Sequence, residues 1–296
     1  MATPTVLQDH YPTTYARNWE RLFQQEESRL RQYCGFDKIN GVTKQYNQIG
    51  KATARKIESL YGETKPTNLS KEKRHVRLQG YDMVEWLDEF DDDLLGEITE
   101  PRSETVVEHA SGMGRKCDEV IIAAAEGTNY KGSTGTDAIA LPAGQKIVNG
   151  GTDMTLAKLI AARKIFDANE AYDPRRGDEL IMAITSTQKA SMLEDINEIS
   201  SGDYNHVKAL VEGEVSGTFL GFKFIRTELL TKSGDIRQCL AWVKRAMMLT
   251  IQIESTVTID RLPTRNNTVQ IRTVKLLGAT RRQEEGVVQI DCDETA

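Results

Sequence analysis

Closely spaced cysteines are missing from this chain. Cys34, Cys117, Cys239 and Cys292 are scattered, with no CxxC or CxH pair. Structural zinc sites and redox dithiols bring at least one such pair together, so neither is expected. Scattered reduced thiols in a cytoplasmic product are the simpler reading. Aromatic residues are only 6% of the chain, which works against a function built on stacking bases or sugars. A basic excess is also lacking: the formal net charge is −6, the wrong sign for a surface that grips phosphates. No run approaches the ~20 apolar residues of a membrane span. The first residues, Met1–Phe23, hold no apolar stretch of the signal-peptide kind, so synthesis and use in the cytoplasm are expected.

Catalytic motifs are absent as well. Gly144-Gln145-Lys146 lacks the upstream glycine and the following Ser or Thr of a phosphate-binding loop. Gly112-Met113-Gly114 falls inside a predicted helix, where a dinucleotide turn cannot form. There is no GxSxG elbow and no HExxH. His10, His75, His109 and His206 sit in unrelated contexts. The acidic run Asp88–Asp93 is the one place for a two-metal site, but it lacks the dispersed carboxylates and supporting histidine such sites draw on. No catalytic, cofactor-binding or metal-ligating residue is assigned, and the chain does not read as an enzyme.

What is present is ordinary soluble material, 39% hydrophobic and 28% charged over 296 residues, enough for one large domain or two of common size. Residues 1–36 form a polar arm with a helical stretch around Tyr15–Tyr33, where Trp19, Leu22, Phe23 and Leu30 recur at roughly helical spacing. The arm has too little apolar surface to fold alone. Residues 38–79 alternate in two places, Val42–Tyr46 and His75–Leu78, which predicts two strands joined by a long projecting loop. This region carries ten Lys or Arg, among them Lys44, Lys51, Arg55, Lys56, Lys71, Lys73, Arg74 and Arg77, against three Glu.

The next twenty residues reverse the sign. Residues 81–100 hold nine acids, including Asp88, Glu89, Asp91, Asp92 and Asp93, with no Lys or Arg. Met83, Trp86, Leu87 and Phe90 follow a helical spacing within it. A basic hairpin beside an acidic segment makes the chain complementary to a copy of itself, and such a contact is heterologous and propagates. The alternative is that both runs are solvated or pair within one chain.

A long helix follows at 99–127, with Thr99 as cap, Pro101 in the first turn and Gly127 at its end. Val106, Ala110, Met113, Cys117, Ile121 and Ala124 form its apolar stripe, on a rod of about 37 Å. Residues 128–151 read as loop. Beyond them a helix is expected at Thr155–Ala168 with Leu156, Leu159, Ile160 and Phe166 inward. A buried strand is expected at Glu179–Thr185 and a helix at Ser186–Ile196 capped by Ser186 or Thr187. Strands are expected at Phe219–Thr227, Gln238–Arg245, Thr250–Arg261, Gln270–Leu277 and Gly286–Asp291. The fold class is α+β.

This order of parts, and several phrases within it, resemble the major capsid proteins of tailed bacteriophages, which share the Hong Kong 97-type capsid fold. The phrases are Gln24-Gln25-Glu26-Glu27-Ser28-Arg29-Leu30-Arg31, then Arg74 through Asp82, and Met113-Gly114-Arg115-Lys116-Cys117-Asp118-Glu119-Val120-Ile121-Ile122-Ala123-Ala124. Ser201-Gly202-Asp203-Tyr204-Asn205, then Gly213 and Leu220-Gly221-Phe222, and finally Gly278–Arg282 with Val287–Asp291, complete the set. Together they span most of the chain in the right order.

The resemblance implies an N-terminal arm (1–36), an extended loop (37–80) and a peripheral domain (81–151) with a spine helix at 99–127. An axial domain (152–250) and terminal strands (251–296) that return to the peripheral domain would follow. Asp203, Tyr204 and Asn205 would lie near the fivefold and sixfold axes. It implies pentamers and hexamers in an icosahedral shell within the virion, assembled in the host bacterial cytoplasm, with double-stranded DNA inside held by weak non-specific contact. A portal protein and a decoration protein are further partners of the family. The residues before the long helix are accounted for by arm and loop, so a separate scaffolding protein is expected. Lys51 or Lys56 are the candidates for a Lys–Asn cross-link of the kind some relatives form, though no asparagine partner is identified. An encapsulin-like compartment shell would share the fold. A soluble metal-dependent enzyme using Asp88–Asp93 is the distant alternative.

Overall fold

The computed structural model describes residues 23–56, 63, 66–87, 104–199 and 218–295. In chain order the strands and helices begin with β1 (Gly35–Lys38), β2 (Thr43–Ile49), β3 (Lys71–Arg77), β4 (Gln79–Leu87) and α1 (Glu104–Glu126). Then come β5 (Asn129–Lys131), β6 (Asp137–Ile139), β7 (Lys146–Ile147), α2 (Leu156–Ala168), β8 (Leu180–Ile184) and α3 (Ser186–Ile199). The remainder is strand: β9 (Thr218–Phe219), β10 (Phe222–Arg226), β11 (Lys232–Ser233), β12 (Ile236–Val243), β13 (Met247–Leu262), β14 (Thr268–Arg281) and β15 (Val287–Asp293).

Three sheets result. The first has the order β1-β13-β14-β4 and carries α1 against β14. The second runs β7-β15-β12-β8-β10-β9, with β11 beside β12. The third, β2-β3-β5-β6, is the root of the long loop. One apolar core joins the first two. It passes from Cys117 and Ile121 on α1, through Leu30, Trp242, Met247 and Leu277, to Ile181, Phe222 and Val288. Trp242 is buried within it and donates its indole N–H to the Tyr33 carbonyl at 3.0 Å, satisfying the one polar atom of the ring.

The strongly periodic segments fold as their patterns require. β8 is buried at every position, which is what a short continuous apolar run between two neighbours demands. Thr155 caps α2, its side chain accepting from the Lys158 amide. α1 ends at Glu126, and Gly127 follows with its amide on the Ala123 carbonyl at 2.9 Å; a Cβ there would meet that carbonyl at 2.5 Å. The two expected hairpin strands, β2 and β3, pair from Thr43–Arg77 to Ile49–Lys71.

Other expectations are corrected. The described part of the Tyr15–Tyr33 stretch is irregular chain ending in a 3-10 turn at Arg31–Tyr33, and Phe23 is fully exposed. The apparent helical spacing of Met83, Trp86 and Leu87 belongs to β4, which pairs with β14 along its length; Phe90 lies outside the described residues. On α1, Ala110 is exposed and His109 takes its place on the buried face. On α2, Ile160 is 52% exposed and Ala162 faces inward instead. Thr185, rather than Ser186 or Thr187, precedes the first turn of α3: Gln188 Oε1 accepts from the Thr185 amide at 3.3 Å, half of a capping box. Residues 128–151 contain three short strands, and the strand expected at Phe219–Thr227 is a hairpin. Its turn, Leu220 (φ 50°) and Gly221 (φ 83°), is left-handed at both positions. The terminal strands divide: β13 and β14 join the sheet under α1, whereas β15 pairs with β12 in the other sheet. The helix residues Thr99 and Pro101 lie outside the described residues.

Candidate assembly surfaces

The β2–β3 pair is rooted by a buried ionic cluster. β3 carries Arg74 inward at 4% exposure. Its guanidinium pairs with Glu284 and donates from Nε to the Arg282 carbonyl at 3.2 Å. Gln48 on β2 donates to the same carbonyl, so both loop strands are tied to the chain just after β14. Beside them Arg281 is fully buried. Its Nη1 donates to the carbonyls of Ala124 (3.0 Å), Ala125 (2.7 Å) and Gly127 (2.6 Å), and Nη2 to Ile139 at 3.2 Å. A cation set on the last carbonyls of α1 complements the negative end of the helix dipole. Burial draws its pKa down to about 10, with Glu284 opposing and Arg74 adding to the effect. Close packing completes the root: a Cβ on Gly278 would meet the Arg77 carbonyl at 2.7 Å.

The arm is held on α1 by one carboxylate. Asp118, completely buried, accepts from the amides of Arg29 (2.9 Å) and Leu30 (3.1 Å) and from Ser28 and Gln25 side chains. These bonds turn the chain so that Leu30 enters the core. Arg31 then reaches across to Glu254 on β13 at 2.7 Å. Sequence reasoning missed Arg281, Asp118, Glu254 and Glu284. A usable signal exists for Asp118 alone: a charge directly beside Cys117 on an apolar stripe.

The cations named from sequence separate into two groups. Arg74 is internal. Lys44 is half-buried, paired with Asp37 and set 5.4 Å from the Tyr46 ring centroid. Tyr46 in turn shares a 2.8 Å hydrogen bond with Thr250, and burial lifts its pKa to about 12 against that bond's pull. Lys51, Arg55, Lys56, Lys71, Lys73 and Arg77 are exposed, with no ion-pair partner among the described residues. Asp88, Glu89, Asp91, Asp92 and Asp93, and likewise Asp203, Tyr204 and Asn205, lie outside the described residues.

No group of three or more His, Cys, Asp and Glu could hold a metal among the described residues. All four cysteines are buried. No helix of the described residues is long and apolar enough to cross a membrane. A cleft of about 840 Å³ lies between the loop root and α1, lined by Val42, Tyr81, Val120, Tyr130 and a row of threonines.

Comparison with solved structures gives the fold. The capsid of the cyanophage P-SCSP1u matches with a TM-score of 0.71 at 14% identity, over 97% of this chain and 94% of that one. The capsid of Ralstonia phage GP4 matches at 0.68 and 9% identity, over 99% and 98%. The head structure of Helicobacter pylori bacteriophage KHP40 matches at 0.68 and 11% identity, over 96% of each. The α+β architecture is thus the Hong Kong 97-type capsid fold. No curated protein sequence matches significantly. The family of phage capsid proteins, however, matches across residues 7–294, so the chain belongs to the phage capsid protein family and its role is structural.

Proposed function

We propose that this chain is the major capsid protein of a tailed phage, forming pentamers and hexamers that close as the icosahedral head around packaged double-stranded DNA. Within that role, one observation carries the mechanism of contact. The root of the loop is locked by Arg74, Glu284 and Gln48, while Lys71 and Lys73 on β3 and Lys51, Arg55 and Lys56 beyond β2 are exposed and unpaired among the described residues. A cationic arm on a rigid root is suited to reach a neighbour's acidic segment at Asp88, Glu89, Asp91, Asp92 and Asp93. That contact is heterologous and closes into rings. Each ion pair is worth only about 0–1 kcal/mol, so errors dissociate, and the closed lattice gains its stability by multiplicity.

In this reading α1 with β4, β13 and β14 forms the peripheral domain. The sheet containing β8, β12 and β15 forms the axial domain, whose segment with Asp203, Tyr204 and Asn205 faces the ring axis. A separate scaffolding protein guides assembly in the host cytoplasm, a portal occupies one vertex, and a decoration protein binds the finished surface. DNA is held weakly, in keeping with the acidic net charge. Maturation from procapsid to head is rigid-body rotation of subunits with re-laying of arm and loop. Negative-stain microscopy of the purified chain, with and without a co-expressed scaffold, is the direct test. Closed shells or rings of five and six are expected; a folded, dispersed monomer under both conditions would overturn the proposal.

A further inference from the structure

We infer that the outer edge of β13 is a second, symmetric contact surface, where residues 256–260 pair antiparallel with the same residues of another copy. The inference rests on the shell reading above and adds the contact that reading lacks. Loop-to-neighbour contacts make rings, but rings become a closed shell only through contacts between rings. A contact lying on a two-fold axis is isologous, so the surface involved must complement itself. A strand edge meets that requirement when it pairs antiparallel about an axis normal to the sheet.

β13 is 16 residues long. β1 runs beside it only from Met248 to Ile251, and the last bond on that side goes from the Ile39 amide to the Ile251 carbonyl. From Gln252 to Leu262, β14 lies on one side and no strand lies on the other among the described residues. Ser255, Thr256, Val257 and Thr258 are exposed. Open edges are normally blunted by lysine, proline or shortness. β13 has no lysine and no proline, and it carries no charge between Glu254 and Asp260. Its bulges fall between Ile251 and Thr256, so the ladder with β14 is regular from Thr256 to Leu262, where the uncharged stretch sits.

Side-chain chemistry selects the register. Alternate side chains leave opposite faces of a sheet, so facing residues must differ by an even number. Centring the pair on Val257 brings Glu254 towards the copy's Asp260, two like charges. Centring it on Thr258 sets Thr258 against itself. Val257 then faces the copy's Ile259 twice on one side, and Thr256 faces the copy's Asp260 twice on the other. A Thr–Thr pair at the axis is favourable across strands, Val257 and Ile259 bury apolar surface on each other, and the Thr256 hydroxyl can donate to the copy's Asp260 carboxylate, so the axis passes through Thr258.

A single substitution tests this. Facing residues have Cβ atoms about 4.5–5.5 Å apart, close to what a disulfide needs, and the native thiols are all buried. Thr258→Cys is expected to give disulfide-linked dimers in oxidised, assembled particles, whereas Thr256→Cys is expected to stay monomeric on a non-reducing gel. Absence of dimers from Thr258→Cys, or equal yields from both positions, would overturn the inference. Thr258→Lys places two like charges at the axis. Rings without closed shells and an unchanged melting temperature are expected, and normal shells would count against the edge contact. If the unsubstituted chain forms neither rings nor shells, the shell reading fails first and the edge contact falls with it.

Discussion

Arg74 stands in the sequence as one cation among ten in a basic segment, and only its burial shows that it belongs inside the subunit. Removing one member of a buried ion pair leaves the other charged and unsolvated, at a cost of roughly 3–5 kcal/mol. Arg74→Met is therefore expected to lower the unfolding free energy of the unassembled chain by about that much in a denaturant titration, and adding Glu284→Leu to recover most of the loss. A second carboxylate gives a pH signature. Burial alone would raise the pKa of Glu294, but hydrogen bonds from Arg237, Lys232 and Gln188 hold it down at about 2. A carboxylate depressed in the folded state contributes stability above its unfolded pKa of roughly 4.3 and loses it as pH falls towards the folded value. Glu294→Gln should flatten the fall in melting temperature between about pH 4.5 and 2. If the fall is unchanged, other carboxylates carry the acid limb. Neither role is written in local sequence, because both depend on partners distant along the chain.

At the scale of elements, periodicity was enough wherever one residue pattern had one reading. β8 is an unbroken apolar run, and β13 and β14 alternate. β4 misled because Met83, Trp86 and Leu87 satisfy helical spacing over a window too short to exclude a strand, and pairing with β14 decides it. The stripe on α1 holds at Met113, Cys117, Ile121 and Ala124 and departs at one position, because Ala110 is as compatible with solvent as with core, while His109 finds Thr273 at 3.2 Å. The loop is the element that burial divides. With Arg74 assigned to its root, the contact test narrows to the exposed pair Lys71 and Lys73. Lys71→Glu with Lys73→Glu should leave thermal unfolding within about 0.5 kcal/mol of the parent, as exposed substitutions usually do, yet abolish rings and shells in the microscope. Normal shells from this variant would remove the electrostatic role of the loop.

For the whole molecule, the α+β class was legible because paired strands, a long helix and then alternating helices and strands follow one another in sequence. The return of β15 to the second sheet was not legible, because a short apolar strand does not state its neighbour; its pairing with β12 emerges only when the core closes. The same contrast between what is internal and what is left exposed predicts how assembly responds to salt. The ties that define the subunit, Arg74–Glu284 and Asp118 with the arm amides, are buried and little screened. The cations assigned to the neighbour contact are exposed. Raising ionic strength from about 0.1 to 1 M shortens the Debye length from roughly 10 to 3 Å. The subunit concentration at which shells first appear by light scattering should therefore rise severalfold, while the melting temperature of the unassembled chain stays nearly constant. An onset indifferent to salt would mean that apolar surface such as Val42 and Tyr130, rather than loop charge, holds one copy to the next.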